Sequence, residues 1–249
     1  MYFSNLENYF SKKNIYFIHK NKISSTMDFA RKFFILKNKI LVVLSDIQTS
    51  GRGRLNNSWK SKYGNIFLTI KMFPEKKVKN YFELSILSCL AIKKTIKNFN
   101  IDDVFFKWPN DIYINNSKVG GILIETDTDG KNTFCLVGIG INLVSSPNIK
   151  NYKTTFLQKY NKSIKKKEFV KLLVENIISF YDKWNSNKNL KLIDQYKKSL
   201  MYIGKNITIN INNNNSIKGK FIDLTKEGYL IIKKNNKNKI ILSGTMGLY

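Results

Sequence analysis

The chain has 249 residues and a formal net charge of +26, from 43 Lys and Arg against 17 Asp and Glu, and 43% of its residues are apolar. That length suits one large domain, or a main domain with a small appendage. No apolar run approaches the roughly 20 residues of a membrane span, and residues 1–10 lack the basic-then-apolar order of a signal peptide.

One histidine, His19, and two cysteines, Cys89 and Cys135, are too few for the common zinc spacings. A Ser/His or Cys/His nucleophile would rest on His19 alone, beside the apolar residues 15–18. Any chemistry must therefore work by positioning and electrostatics with Arg, Lys and Asp. Both cysteines sit in apolar runs and read as reduced core residues, which suits a cytoplasmic protein. The excess charge admits a nucleic-acid partner. Yet Lys, Asn and Ile abound throughout, including the loops at 212–215 and 235–238, and the lysines are scattered rather than striped. Compositional bias is the preferred explanation.

In chain order, residues 15–18 read as a strand. Ser24, Ser25 and Thr26 offer an N-cap for a helix over 28–37, with Phe29, Ala30, Phe33, Phe34 and Leu36 on one face. Residues 40–47 form a strand, and 48–62 a polar loop containing Gly51-Arg52-Gly53-Arg54 and Trp59. Two glycines let a backbone approach a ligand with its N–H groups turned inward. Two arginines add forked donors matched to carboxylate or phosphate. A strand at 65–73 follows, then a helix over 81–99 and a strand at 104–108 stopped by Pro109.

Residues 112–114 and 119–126 predict a hairpin through Asn115-Asn116-Ser117. The strand at 133–143 carries Gly138 and Gly140, where a ligand could approach the backbone. Helices follow at 168–181 and 190–200. From Gly204 only short strands remain, at 207–211, 217–224, 229–232 and 240–242. They read as a small barrel-type β module, giving an α+β protein with units at 1–200 and 201–249.

Lys107-Trp108-Pro109-Asn110-Asp111, Lys118-Val119-Gly120-Gly121 and Gly138-Ile139-Gly140-Ile141-Asn142 each have a plain structural reading when taken singly. Together with Gln48, Gly51–Arg54 and Trp59, and with Ser25-Thr26 before the first helix, they resemble the biotin protein ligases in order and spacing from about residue 15 onward. That resemblance implies a class II synthetase-like core, a mixed or antiparallel sheet flanked by helices, followed by an SH3-like barrel. It implies that biotin and ATP, with Mg²⁺, give biotinyl-5′-AMP. The biotinyl group then passes to one lysine of the biotin carboxyl carrier domain of acetyl-CoA carboxylase or a similar carboxylase.

By resemblance, Arg52, Arg54 and Lys118 neutralise charge, and Asp111 orients the acceptor amine or takes its proton. Ser25, Thr26, Gln48, Arg52, Gly53, Arg54, Lys118, Gly120 and Gly121 bind biotin. Arg52, Arg54, Trp59, Lys107 and Asn142 bind the adenylate; no metal ligand is assigned. Met27 replaces a frequent asparagine of the family, and Leu55-Asn56-Asn57 replace a further arginine or glycine. With fewer than about fifteen residues before the first core strand, a monofunctional ligase without operator binding is expected, and a homodimer is left open. The rival readings are a lipoate or octanoyl ligase of the same superfamily and a basic nucleic-acid-binding protein.

Overall fold

The computed structural model describes residues 3–55, 57–75, 81–186, 191–211 and 215–248. Helix α1 (Ser4–Ser11), which the sequence reading did not assign, buries Leu6 and Phe10. Strand β1 (Ile15–Ile23), helix α2 (Thr26–Lys32) and strand β2 (Ile40–Gln48) follow. β1 and β2 are parallel, and α2 lies in the crossover that parallel neighbours require. Strand β3 (Ile66–Met72), helix α3 (Phe82–Lys97) and strands β4 (Val104–Lys107), β5 (Asp111–Ile114), β6 (Ser117–Asp129) and β7 (Asn132–Ile141) come next. They complete a seven-stranded mixed sheet in the order β1-β2-β3-β7-β6-β5-β4. The expected β5–β6 hairpin turns through Asn115 and Asn116, both at positive φ, as a two-residue connection demands.

Side-chain alternation gives this sheet two different faces. Val42, Leu44, Ile66, Leu68, Ile70, Val137 and Ile139 join the main core with α3 and with helix α4 (Lys166–Asn185). On the other face Leu41, Val43, Phe73, Phe134 and Leu136 pack under Met27 and Ala30 of α2. That smaller core ends where β7 reaches Gly138 and Gly140, so the face is filled at one end and shallow at the other. β3 is buried along its whole length, Lys71 included.

Helix α2 stops at Lys32, short of the expected 28–37. Phe33 is extended at φ −78° and ψ 120°. The buried ammonium of Lys71 donates to the Phe33 carbonyl at 3.0 Å and the Arg31 carbonyl at 3.4 Å, satisfying acceptors that a helix end leaves orphaned. Phe34 and Leu36, expected on the buried face, are exposed. Burial lowers the Lys71 pKa.

Helix α5 (Leu192–Lys197) leads to β8 (Asn206–Asn210), β9 (Ser216–Leu224), β10 (Leu230–Lys234), β11 (Lys237–Ile241) and β12 (Thr245–Leu248). These form a separate antiparallel sheet, ordered β11-β10-β9-β8-β12. The four-residue β12 was not expected, being too short to show alternation. Residues 212–214 of the predicted Asn-rich loop, and residue 190 of the predicted last helix, lie outside the described residues. The two sheets are joined at the core. Trp108, 2% exposed, donates its indole N–H to the Gly228 carbonyl at 3.0 Å. Phe106 of β4 exchanges backbone bonds with Ser199 and Met201, both 2.8 Å. The architecture is the α+β fold expected.

Candidate active site

The shallow end of the sheet is where the sequence motifs meet. Gly121 of β6 stands opposite Gly140 of β7. The indole of Trp59 lies on this floor. A Cβ added at Gly140 would come within 2.4 Å of the ring, and one at Gly121 within 3.2 Å. Only residues without a side chain permit that approach. The indole nitrogen of Trp59 is buried and has no hydrogen-bond partner among the described residues. Gly120 faces the other way by alternation, towards Ile112 and Ile141, so only its backbone belongs to this surface.

Lys118 borders the floor. Its ammonium pairs with Asp111 at 2.6 Å and stands 5.6 Å from the Trp59 ring centroid. It is thus a paired cation. Its backbone is clamped to the 153–155 segment by two bonds, Lys118 N–H to Lys153 O at 2.8 Å and Thr155 N–H to Lys118 O at 2.9 Å. Asn142 holds that segment in turn, donating its side-chain amide to Thr155 O at 3.0 Å. Asn142, expected from the resemblance to bind the adenylate, is 3% exposed and makes this bond. Lys107 is set opposite Asp111 across the β4–β5 pair. Burial lowers its pKa, Asp111 opposes that, and Lys118 adds to it.

The glycine–arginine loop closes on itself. Trp59 N–H donates to Gly51 O and Gly53 N–H to Asn57 O, at 2.8 and 2.7 Å. A side chain at Gly51 would meet Trp59 O at 2.8 Å. The two arginines diverge. Arg52 pairs with Asp28 of α2 at 2.7 Å and Glu125 of β6 at 3.4 Å. Among the described residues Arg54 makes long contacts, 3.5 Å to Asn110 Oδ1 and 3.4 Å to Gly244 O. Burial lowers its pKa against the opposing field of Asp111. Arg54 also lines a cavity of about 390 Å³ with Phe82, Ser85, Asn110, Tyr229 and Leu242, within the usual range for small-molecule sites. Arg54 therefore retains donors for an anion, whereas Arg52 is already engaged. Asn56, part of the noted departure, lies outside the described residues.

Ser25 caps α2, accepting from Asp28 N–H at 3.2 Å. Gln48 Oε1 accepts from the N–H and the hydroxyl of Thr26, at 2.8 and 2.9 Å. Thr69 donates to that hydroxyl at 2.8 Å. This chain of bonds fixes α2 to β2 and β3 and turns the Gln48 amide nitrogen towards Ser61, at 3.4 Å. Met27 fills the space over Gly138, whose added Cβ would lie 2.7 Å from its sulfur. His19 stands apart, bound to Asp46, which Lys166 also binds. Both cysteines are buried and free. Sequence reasoning did not single out Asp28 and Glu125. Their signal was positional: Glu125 lies four residues beyond Gly121 on one strand, hence on the same face.

A glycine floor, a cationic loop folded over it and a lysine–aspartate pair at its edge define a site for a flat ligand bearing a negative charge. Residues 20–142 match the profile of the Biotin/lipoate A/B protein ligase family, and residues 202–249 match the Biotin protein ligase C terminal domain. Together these cover well over half of the sequence, and the chain belongs to the biotin protein ligase family. The chain is 26% identical over 214 residues to the Bifunctional ligase/repressor BirA of Bacillus subtilis, covering 83% of this chain and 66% of that one. It is 33% identical over 108 residues to the Biotin--[acetyl-CoA-carboxylase] ligase of Paracoccus denitrificans, covering 42% and 45%. It thus spans just under two thirds, or less, of these relatives. The biotin protein ligase of Aquifex aeolicus, solved with biotin and ATP, has the same fold, with a TM-score of 0.79, 24% identity, and 93% and 97% of the two chains covered.

Proposed function

We propose that this protein joins biotin to ATP and transfers the biotinyl group to a lysine of a biotin carboxyl carrier domain. The observation that carries this reading is the meeting of the Lys118–Asp111 pair and Trp59 at the Gly121–Gly140 floor, with Arg54 held by Asn110, the residue before Asp111, and lining a cavity. The family membership and the biotin-specific C-terminal match support it over a lipoate ligase.

In the first step a biotin carboxylate oxygen attacks the α-phosphorus and pyrophosphate leaves. Two anions must approach, so Arg54 and Lys118 lower the barrier by facing charge as it develops in a water-poor site. Arg52 contributes by holding the loop. Ser25, Thr26, Gln48 and the loop around Gly53 frame the end of the floor suited to the polar ring. Trp59 forms a wall, and the cavity beside Arg54 receives the nucleotide, while Lys107 stands across from Asp111.

In the second step the acceptor's neutral amine attacks the acyl carbon and AMP leaves. Asp111 is placed to orient the amine and take its proton once Lys118 turns to the phosphate. A magnesium ion would neutralise phosphate charge and would call for one or two protein carboxylates beside the ATP. Asp111 offers one carboxylate, and among the described residues no group of three or more His, Cys, Asp or Glu gathers to hold a metal.

Residues 1–200 form the catalytic unit in this reading, and 201–249 a unit that closes the cavity through Tyr229 and Leu242. Two free, buried thiols and a need for ATP suit the cytoplasm. The test is incubation with labelled biotin, ATP and a carrier domain, with and without its target lysine. Label confined to the lysine-bearing carrier supports the reading, and no ATP-dependent label refutes it.

A further inference from the structure

Arg52 lies on the loop that covers the floor, but its guanidinium points to α2 and β6. Asp28 Oδ1 is 2.7 Å from it and Glu125 Oε2 is 3.4 Å. Glu125 is itself bound by Arg31 of α2, which also grips Asp127. Arg31 therefore fixes the direction of Glu125, and the four groups Arg52, Glu125, Arg31 and Asp127 form an alternating row of charge. α2 is anchored independently by the Thr26–Gln48–Thr69 bonds and by Lys71 at its other end. The loop thus has a rigid post to lean on. Its remaining ties are mostly local, within residues 51–59, and the contacts of Arg54 are long.

We infer that Asp28 and Glu125 are positioning residues that latch the glycine–arginine loop shut through Arg52. The side chains are 44%, 38% and 28% exposed for Arg52, Asp28 and Glu125. Such pairs are individually weak and screened by salt, which suits a latch that must open for substrate and product. The inference rests on the ligase reading only in what the loop covers; the latch itself needs no ligand.

Two measurements separate the questions. Amide hydrogen exchange is recorded without ligand on full-length wild type, D28N/E125Q, R52Q and R52Q/D28N/E125Q. Exchange over residues 50–59 should rise roughly three- to tenfold in D28N/E125Q, the size two partly exposed ion pairs supply. It should not rise further in the triple variant beyond R52Q alone, and the β3 amides should stay protected. Wild-type exchange in D28N/E125Q, effects that add to those of R52Q, or equal loosening of β3 would each overturn the latch. With labelled biotin and ATP, the lifetime of the bound intermediate should fall more than its rate of formation, and wild type at high salt should behave like the variant. If wild type forms no intermediate, the ligase reading fails, while the exchange measurement still decides the latch.

Discussion

Gly140→Ala adds one carbon where the Trp59 ring lies. That carbon would stand 2.4 Å from Cε2, 2.5 Å from Cζ2 and 2.7 Å from Nε1. Carbon atoms rest at about 3.5–4.0 Å, so the ring must retreat by about 1 Å. The obstacle is a side chain on a loop, so the sheet itself can keep its form, and overpacking should lower stability by about 1–3 kcal/mol at most. The ring cannot retreat alone, because Trp59 N–H is bonded to Gly51 O at 2.8 Å and draws the loop with it.

A displacement of that size at a positioning surface can lower turnover by about a hundredfold. Biotin-dependent exchange of pyrophosphate into ATP measures the first step, and a denaturant midpoint measures the fold. Gly247→Ala is the matched control, since its added carbon meets nothing within 4 Å. A G140A protein that exchanges pyrophosphate at the wild-type rate would refute the role given to the glycine floor.

Lys118→Ala should cut adenylate formation by about 10²–10³-fold, the usual loss of one charge-stabilising donor, while biotin binding stays measurable by calorimetry. Normal adenylate synthesis would contradict charge neutralisation at that lysine. Arg54→Gly should let the intermediate escape and label lysines of a bystander protein, seen by blotting against a carrier lacking its target lysine. Unchanged acceptor specificity would count against the loop as a lid.

Burial raises the Cys135 pKa to about 12, and raises that of Cys89 too. Such a thiol favours the folded state below the unfolded pKa near 9, and that contribution is lost as pH rises towards the folded value. The loss is about 1.4 kcal/mol per pH unit for one group. Cys135→Val should therefore show a smaller fall in unfolding free energy between pH 9 and 10 than wild type. Parallel pH curves would rule out the thiol as the cause.

Much of the fold was legible because its elements obey simple periods. The α4 stripe repeats, with Phe169, Leu173 and Ile177 buried, and Asn115-Asn116 makes the turn that a tight hairpin needs. The failures have physical reasons. α2 looked longer because Phe33, Phe34 and Leu36 continue its apolar spacing, and its end is set by Lys71, a residue from another strand. β12 depends on pairing with β8 rather than on any pattern of its own. At the site, sequence named the two arginines together, since spacing cannot say where a guanidinium points. Tertiary structure separates them, giving Arg52 to two carboxylates and Arg54 to the cavity. The motif around Asn142 does not show that its amide holds the segment that clamps Lys118.

The charge of the chain sharpens that distinction. With 43 cationic side chains and 17 anionic ones, a lysine or arginine alone carries little information about place. A carboxylate does, because each one selects which of many cations it will hold. Asp28 and Glu125 take Arg52, Asp111 takes Lys118, and Asp46 takes Lys166 beside His19. The scarce acids therefore set the geometry of the site, fixing two of its three cations and leaving Arg54 the least committed. In a strongly basic protein the function of an arginine is read from its acidic neighbours. Neutralising Asp28, Glu125 or Asp111 should disturb the reaction more than removing any solvated lysine on the surface.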